Sequence, residues 1–415
     1  MSVLSARRAI VVFFAFAFAY FFSALIRAVT ATLSPTLTQD FSLHARDLGL
    51  LAGGYFLGFA AMQLPLGSWL DRYGPKKVVL YFLAVAVAGC LAFALATSFS
   101  GLLLARVLCG VGLGACLMAP LTGYRRWFGS TTQLRANSWM LMTGSMGMVA
   151  STLPVQWLMP WLGWRPLFWG LAGIMLLSML LIAWLVPAWQ PRVPPAPAAQ
   201  AKAAPSYAQV WRHPYFRCMT PIGFFNYGGM IAIQTLWAIP WMTQVAGYST
   251  VQAATGLFWI NIAMLLTFWS WGLINPWLAR RGLHANRLIA WGTPLSLTVL
   301  AGVGLYGPAL PDWAGAYLAL YCISSTFIAL AQPAVGMAFP SELAGRALSA
   351  YNLVIFAGIF VMQWGIGLVI DGLQALGWSR IESFQGALAT LFLLGLSSYL
   401  YFLSASGHNQ STTQP

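Results

Sequence analysis

The chain is a succession of long apolar runs separated by short polar segments. About 20 apolar residues are enough to cross the hydrocarbon core of a bilayer as a helix. Twelve runs approach or exceed this length, so the pattern predicts an all-α membrane protein with twelve transmembrane helices. The predicted spans are residues 9–38, 48–70, 78–97, 100–124, 136–158, 166–187, 216–242, 252–277, 287–307, 313–337, 347–370 and 383–404.

The longest polar connection divides these spans into two groups of six. It contains the stretch PRVPPAPAAQAKAAP, whose proline and alanine content is typical of a semi-flexible linker. The predicted organisation is an N-terminal six-helix half (1–187), a cytoplasmic linker (188–215), a C-terminal six-helix half (216–404) and a cytoplasmic tail (405–415).

The two halves carry traces of a repeat. A shift of 211 residues pairs Arg135 with Arg346 and Gly147 with Gly358, at the equivalent place in each half. Paired halves of this kind are typical of secondary transporters. We therefore expect the halves to be related by pseudo-symmetry.

Composition supports a chain dissolved in lipid. Hydrophobic residues make up 60% and charged residues only 7% of the sequence, against roughly 25% charged residues in soluble domains. Sixteen of the 21 Lys and Arg lie in the connections on one side if the N-terminus is cytoplasmic. This bias predicts an inner-membrane protein with both termini in the cytoplasm. The dispersed basic residues do not form a nucleic-acid surface, despite the net charge of +14.

The most distinctive local motif is GSWLDRYGPKKV, between the second and third spans. It resembles the loop motif of the major facilitator superfamily. LARVLCGVGLGA in the fourth span and GWRPLFW at the entry to the sixth are also similar to that family. The resemblance extends over essentially the whole chain, and implies two six-helix bundles that work by alternating access.

The same resemblance implies a cytoplasmic gate. In the family the loop acid docks at the start of the eleventh helix when the inner side is closed. The alternative is that the basic loop only fixes topology. The predicted gating residues are Gly67, Asp71, Arg72, Gly74, Lys76, Arg135, Glu342 and Arg346.

Two arginines, Arg27 and Arg106, lie inside predicted spans. Charged residues in a membrane are costly and are functional by default, so both are candidate ligands for an anionic substrate. The pairing resembles the organic-anion branch of the superfamily, the anion:cation symporters. A structural alternative, bonding to carbonyl groups of neighbouring helices, suits Arg106 better because it lies beside the closely packing Gly110 and Gly114.

Polar residues of the second half could complete a substrate cavity. The alternative role for each is hydrogen bonding between helices. In the seventh span Gly228 and Gly229 could let the helix break at the substrate. The candidates are Asn226, Tyr227, Gln234, Asn261, Gln332 and Asn352.

The charge map argues against several other functions. None of the seven carboxylates is predicted to lie mid-span and the four histidines lie in loops or the tail, so we expect no proton coupling through a central carboxylate. The sequence indicates no catalytic residue, metal site or cofactor, and no Walker loop for ATP. An enzyme is therefore not expected.

These observations predict a secondary active or facilitative transporter that moves a small organic anion by alternating access. The buried charges are positive and call for a counter-charge. The alternative with the same fold is an exporter of lipophilic drugs or a siderophore, which the aromatic-rich spans permit. The expected partners are the substrate and membrane lipid, and the expected state is a monomer.

Overall fold

The computed structural model of the protein describes residues 4–188 and 206–411. Most of the predicted linker and the end of the predicted tail therefore lie outside the described residues. Within the described part the secondary structure is helical throughout, with short connections and no strand. An all-α membrane fold is thereby confirmed.

Nineteen α-helices make up the described part. They are α1 (Ala6–Phe41), α2 (Ala45–Ala61), α3 (Gln63–Tyr73), α4 (Pro75–Leu95), α5 (Phe99–Leu113), α6 (Ala115–Trp127), α7 (Ser130–Ala150), α8 (Leu153–Leu162), α9 (Trp164–Leu185), α10 (Tyr207–Arg212), α11 (Pro214–Pro221), α12 (Gly228–Ala232), α13 (Ala238–Gln244), α14 (Thr250–Arg280), α15 (Ala285–Tyr306), α16 (Ala314–Ser324), α17 (Ala331–Met337), α18 (Ser341–Ala375) and α19 (Arg380–Ser411). Two π-helical segments, Ile222–Tyr227 and Ile233–Trp237, and three 3₁₀ segments, Gly307–Ala309, Pro311–Trp313 and Ser325–Leu330, join some of them.

The number of spans differs slightly from the predicted twelve. Among the described residues ten helical stretches are long and apolar enough to cross a membrane. Helices α2 and α3 form a pair bent by 45°, which would raise the number to eleven. The predicted fifth span is divided between α7 and α8 by a break at Ser151 and Thr152. Helix α7 has 21 residues but is not apolar enough to count as a span, and α8 has only 10 residues.

Close glycine contacts occur at equivalent places in the two halves. A side chain on Gly147 of α7 would collide with the Phe21 carbonyl of α1, and one on Gly358 of α18 would collide with the Phe224 carbonyl of the seventh span. Only glycine allows helices to approach this closely. The residues paired by the sequence repeat therefore perform the same packing role.

The tightest seam between the halves joins α2 to α18. Gly49 and Gly53 let α2 lie directly against the backbone of Gln363 and the ring of Phe360. Near the end of α2 the Phe59 and Phe356 rings are 4.3 Å apart between centroids. The seam therefore joins the first half to the second along the middle of α18.

Candidate substrate site and gates

The first candidate, Arg27, lies near phenol groups from both halves. It is half-buried on α1. Its positive charge acts on Tyr20 of α1, Tyr55 of α2 and Tyr227 of the π-helical segment Ile222–Tyr227. Arg27 makes no ion pair with any described carboxylate. The Arg27 guanidinium is thus near phenol groups and has no acidic partner among the described residues.

The tyrosines near Arg27 are well packed. Tyr20 is 8% exposed and Tyr55 is fully buried. The Tyr55 hydroxyl faces Ser23, and within the described part of the chain it completes no hydrogen bond of good geometry.

The second arginine, Arg106, is placed differently. It is completely buried on α5. Its Nη1 donates to the Ile26 carbonyl at 2.8 Å and its Nη2 to the Arg27 carbonyl at 3.3 Å. The guanidinium also lies 5.0 Å from the centre of the Tyr55 ring. This is the geometry of the structural alternative, in which Arg106 fixes α1 against α5.

The polar residues of the seventh span point in different directions. The Asn226 amide donates to the Gly395 carbonyl and to Ser398, both on α19. Asn226 therefore joins the seventh span to α19, whereas the adjacent Tyr227 lies near Arg27. Helical spacing already places these two adjacent residues on different faces of the span.

Two further pairs of candidate residues bond to each other. Gln234 donates to Asn261 at 2.9 Å, linking the seventh span to α14. Gln332 donates to Asn352 at 2.6 Å, linking α17 to α18. These contacts are the interhelical bonds expected of the alternative role.

A buried hydrogen-bond network lies beside Gln234. Gln363 of α18 donates to Thr235 at 2.9 Å, and Trp237 donates to the Gln363 carbonyl at 3.1 Å. The Gln363 side-chain oxygen is buried without a hydrogen-bond partner in the described part of the chain. The network joins the seventh span to α18 within the second half.

The seventh span does not break at its glycines. Gly228 packs against Gly358 and Gly229 against Leu391, and the helix continues through both. The irregularity consists instead of the two π-helical segments on either side. Such segments are frequent at functional sites, and one of them carries Tyr227.

The predicted cytoplasmic gate is only partly assembled. Gly74 adopts a positive φ of 79° between α3 and α4, the conformation that its turn requires. Lys76 donates to the Val186 carbonyl at 2.7 Å and so ties the loop to the end of α9. Asp71 is exposed and, among the described residues, forms neither a hydrogen bond nor an ion pair. The acid is therefore not docked on α18.

The other gating candidates lie around the start of α18. Gly67 faces Ser349, Arg72 lies over its neighbour Tyr73, and Glu342 is in the first turn of α18. Arg135 is exposed on α7. These residues lie on α3, α7 and α18.

Helix α10, just after the undescribed part of the linker, reaches this region. Arg346 lies 6.0 Å from the ring of Tyr207, whose hydroxyl approaches the Leu64 carbonyl at 3.5 Å. Burial raises the pKa of the Tyr207 phenol, although the charge of Arg346 opposes that rise. The phenol therefore remains a neutral bridge between the halves.

The start of α2 is held to α18 by a contact that the sequence did not reveal. Asp371 of α18 accepts hydrogen bonds from the backbone N–H groups of Ala45 and Arg46, at 3.1 and 2.9 Å. A carboxylate is favoured at a helix N-terminus. The only available signal was an acid at the outer end of the eleventh span, and its partner lies 326 residues away.

The carboxylates all occupy helix ends or connections. Asp40 accepts from Trp164 at 2.8 Å, Asp47 caps α2 through His44, and Glu382 caps α19 through Ser379. Among the described residues no group of three His, Cys, Asp or Glu could hold a metal ion.

Comparisons with known proteins agree with this architecture. A gallate transporter of Pseudomonas putida is 26% identical over 431 aligned positions, covering 94% of this chain and 89% of the relative. A 4-hydroxybenzoate transporter of Acinetobacter baylyi is 28% identical over 160 positions, which cover 39% of this chain and 35% of that relative.

A solved structure shares the fold. A bacterial homologue of the human lysosomal transporter Spinster, in an inward-facing and unoccupied conformation, superposes with a TM-score of 0.78 at 17% identity, over 97% of this chain and 98% of that one. The sequence profile described as Major Facilitator Superfamily matches residues 16–363. The chain therefore belongs to the Major Facilitator Superfamily, and is a multi-pass membrane protein and a secondary transporter rather than an enzyme.

Proposed function

We propose that the protein transports a small organic anion, an aromatic carboxylate in particular, and that Arg27 binds the carboxylate. The observation that carries this proposal is the half-buried Arg27 without an acidic partner among the described residues. A charge held within a membrane protein requires a counter-charge to offset its desolvation. An anionic substrate supplies one.

The tyrosines around Arg27 favour an aromatic, hydroxylated substrate. Aromatic side chains offer ring faces for stacking, and phenol groups can donate to or accept from a ligand hydroxyl. The gallate and 4-hydroxybenzoate transporters that resemble this chain are named for substrates of that chemistry. Their names support the choice of substrate class.

Alternating access is supported by the fact that the proposed ligand-binding residues come from both halves. Arg27, Tyr20 and Tyr55 belong to the first half and Tyr227 to the second. A ligand that contacts both halves couples its own binding to their relative movement. The Asp371 contact holds the outer end, while Asp71 is undocked at the inner end. We assign this arrangement to an outward-closed state.

The same proposal covers the membrane in which the protein lies, the side of its termini and its working unit. The lysine and arginine bias supports the inner membrane with both termini in the cytoplasm. Each chain carries Arg27 and its tyrosines itself, which is consistent with a monomer as the working unit. The dispersed basic residues give no reason to propose nucleic-acid binding.

The test is counterflow of radiolabelled 4-hydroxybenzoate in proteoliposomes, with gallate, benzoate, a sugar and a lipophilic cation as competitors. Wild-type protein should exchange 4-hydroxybenzoate, the aromatic carboxylates should compete, and Arg27→Ala should abolish exchange. Arg8→Ala, which removes an exposed arginine outside the site, is the matched control. Competition by the lipophilic cation alone would favour the drug exporter and overturn the proposal.

The energy source follows from the positions of the carboxylates. All of them lie at helix ends or in connections, and none is close to the middle of a span. We propose facilitated diffusion, exchange or coupling through the anion's own protonation. Accumulation should survive single replacement of each carboxylate by its amide. One amide variant that loses gradient-driven accumulation but still exchanges substrate would contradict this.

A further inference from the structure

A lateral groove in the second half is separate from the proposed substrate site. It has a volume of about 300 Å³ and lies between α14, α15, α16 and the 3₁₀ segment Ser325–Leu330. Six of the side chains that line it are those of Trp271, Ile274, Leu278, Leu295, Leu320 and Phe327. These six are apolar or aromatic. The lining also includes Thr267, Ser270, Ser324 and Thr326, but each of their hydroxyl groups donates to a backbone carbonyl three or four residues earlier, so the groove suits a hydrocarbon chain.

The groove faces the lipid. Ile274, Leu295 and Leu320 line it and are 47%, 52% and 48% exposed, although each belongs to an apolar membrane-spanning helix. Exposed apolar side chains on such helices contact acyl chains. The groove is therefore accessible from the bilayer.

The wall of the groove is fixed by side-chain packing. The Trp271 indole donates to Thr326 at 2.9 Å, and its ring lies 5.0 Å from that of Phe327 in an edge-on arrangement. In the first half the corresponding helices are joined by an aromatic contact, in which Trp69 of α3 packs edge-on against Phe82 of α4 at 6.0 Å. The second half instead leaves a gap between its helices.

Positive charge collects at the cytoplasmic end of the groove. Arg280 ends α14, Arg281 follows it, and Arg287 lies in the first turn of α15; all three are exposed. Arg281 is three residues beyond Leu278, a lining residue, and hence one helical turn further along. The guanidinium of Arg281 also lies over the Trp277 ring at 3.9 Å.

The charges of these three arginines are not balanced by an acid in the part of the chain that the structure describes. None of the three arginines forms an ion pair with a described carboxylate. The equivalent turn of the first half contains Asp71 among its basic residues, whereas the turn GLINPWLARRGLHANR contains no acid. Basic pockets between helices on the cytoplasmic side attract anionic lipid headgroups.

We propose that this groove binds one anionic phospholipid, with an acyl chain along α14 and the phosphate among Arg280, Arg281 and Arg287. The apolar lining accounts for the chain and the unpaired arginines account for the headgroup charge. Neither feature alone specifies such a ligand, but they are adjacent on the same helix. The site is independent of the proposed substrate.

The experiment is native mass spectrometry of purified protein equilibrated with phosphatidylglycerol or with phosphatidylcholine of the same acyl chains. Wild-type protein should retain one phosphatidylglycerol at least tenfold better than phosphatidylcholine. The triple variant Arg280→Gln, Arg281→Gln, Arg287→Gln should lose that preference. Arg7→Gln with Arg8→Gln, two exposed cytoplasmic arginines, should keep it.

A second variant tests the groove without altering charge. Ser270→Phe places a ring in the groove, because Ser270 is a lining residue, and should abolish retention of either lipid. Ser397→Phe makes the same change on an exposed face of α19 and should have no effect. Undiminished retention of phosphatidylglycerol by Ser270→Phe, or its displacement by inorganic phosphate alone, would overturn the proposal, even if the triple variant fails to fold.

Discussion

Arg27 and Arg106 are the same residue type within the membrane, yet their surroundings differ. Arg106 is fully buried and both of its terminal nitrogens donate to α1 carbonyls. Arg27 is half-buried among phenols and has no acidic partner in the described residues. One of the carbonyls that Arg106 holds belongs to Arg27 itself. The comparison teaches that one arginine positions the backbone of the other, and the second is the one that we propose to bind the ligand.

The largest expected effect comes from removing the positioning arginine. Arg106→Gln loses two hydrogen bonds from a charged group, each worth about 1.5–3 kcal/mol, so the free energy of unfolding should fall steeply. Thermal unfolding in detergent, followed by tryptophan fluorescence, measures this. Arg106→Lys should recover part of the loss. Unchanged unfolding together with lost substrate binding would reverse the assignment of the two arginines.

The second effect concerns the arginine that is available for a ligand. Breaking a buried charge pair costs about 2–5 kcal/mol, so Arg27→Ala should weaken 4-hydroxybenzoate binding by roughly 30-fold or more. Arg27→Lys should restore only part, because an ammonium cannot form a bidentate pair. The measurement is the ligand-induced rise in melting temperature. Without ligand these variants should unfold like wild type, whereas loss of stability in both would make Arg27 structural too.

The third effect concerns access to Arg27 from each side of the membrane. Asp371→Asn weakens the outer contact and should shift the population toward outward-open, whereas Asp71→Asn should shift it toward inward-open. A change of about 1–2 kcal/mol corresponds to a five- to thirty-fold shift. Labelling of single cysteines on the two faces reports the populations. If Asp71→Asn leaves labelling unchanged on both faces, Asp71 is only a topology signal.

The smallest expected effect comes from removing single tyrosine hydroxyl groups near the two arginines. Tyr227→Phe removes one hydroxyl near Arg27 and should weaken binding by about two- to twelve-fold, the value of a single hydrogen bond. Tyr55→Phe keeps the ring that lies over Arg106, so unfolding should be unaffected while binding falls. Isothermal titration of both variants gives the result. A fall in melting temperature for Tyr55→Phe would assign its hydroxyl to packing.

Much of the fold and part of the site could be read from the sequence. Apolar length predicted most of the spans, and the GSWLDRYGPKKV motif marked the connection between the second and third spans, where Gly74 adopts a positive φ. The exception was the fifth span, where Ser151 and Thr152 divide the helix. The sequence could not show this because serine and threonine are tolerated within a continuous helix when their hydroxyls bond to the preceding turn.

The amino-acid sequence by itself determined that the chain lies in a membrane, that two arginines lie inside it and that all seven carboxylates occupy helix ends or connections. These properties depend on composition and position along the chain. Only the tertiary structure decided that Arg106 holds α1, that Asn226 faces α19 and that Asp371 caps a helix 326 residues away. The physical reason is that membrane helices are apolar on every side. Hydrophobic periodicity therefore does not fix their rotation, and the direction of each polar side chain depends on how neighbouring helices pack.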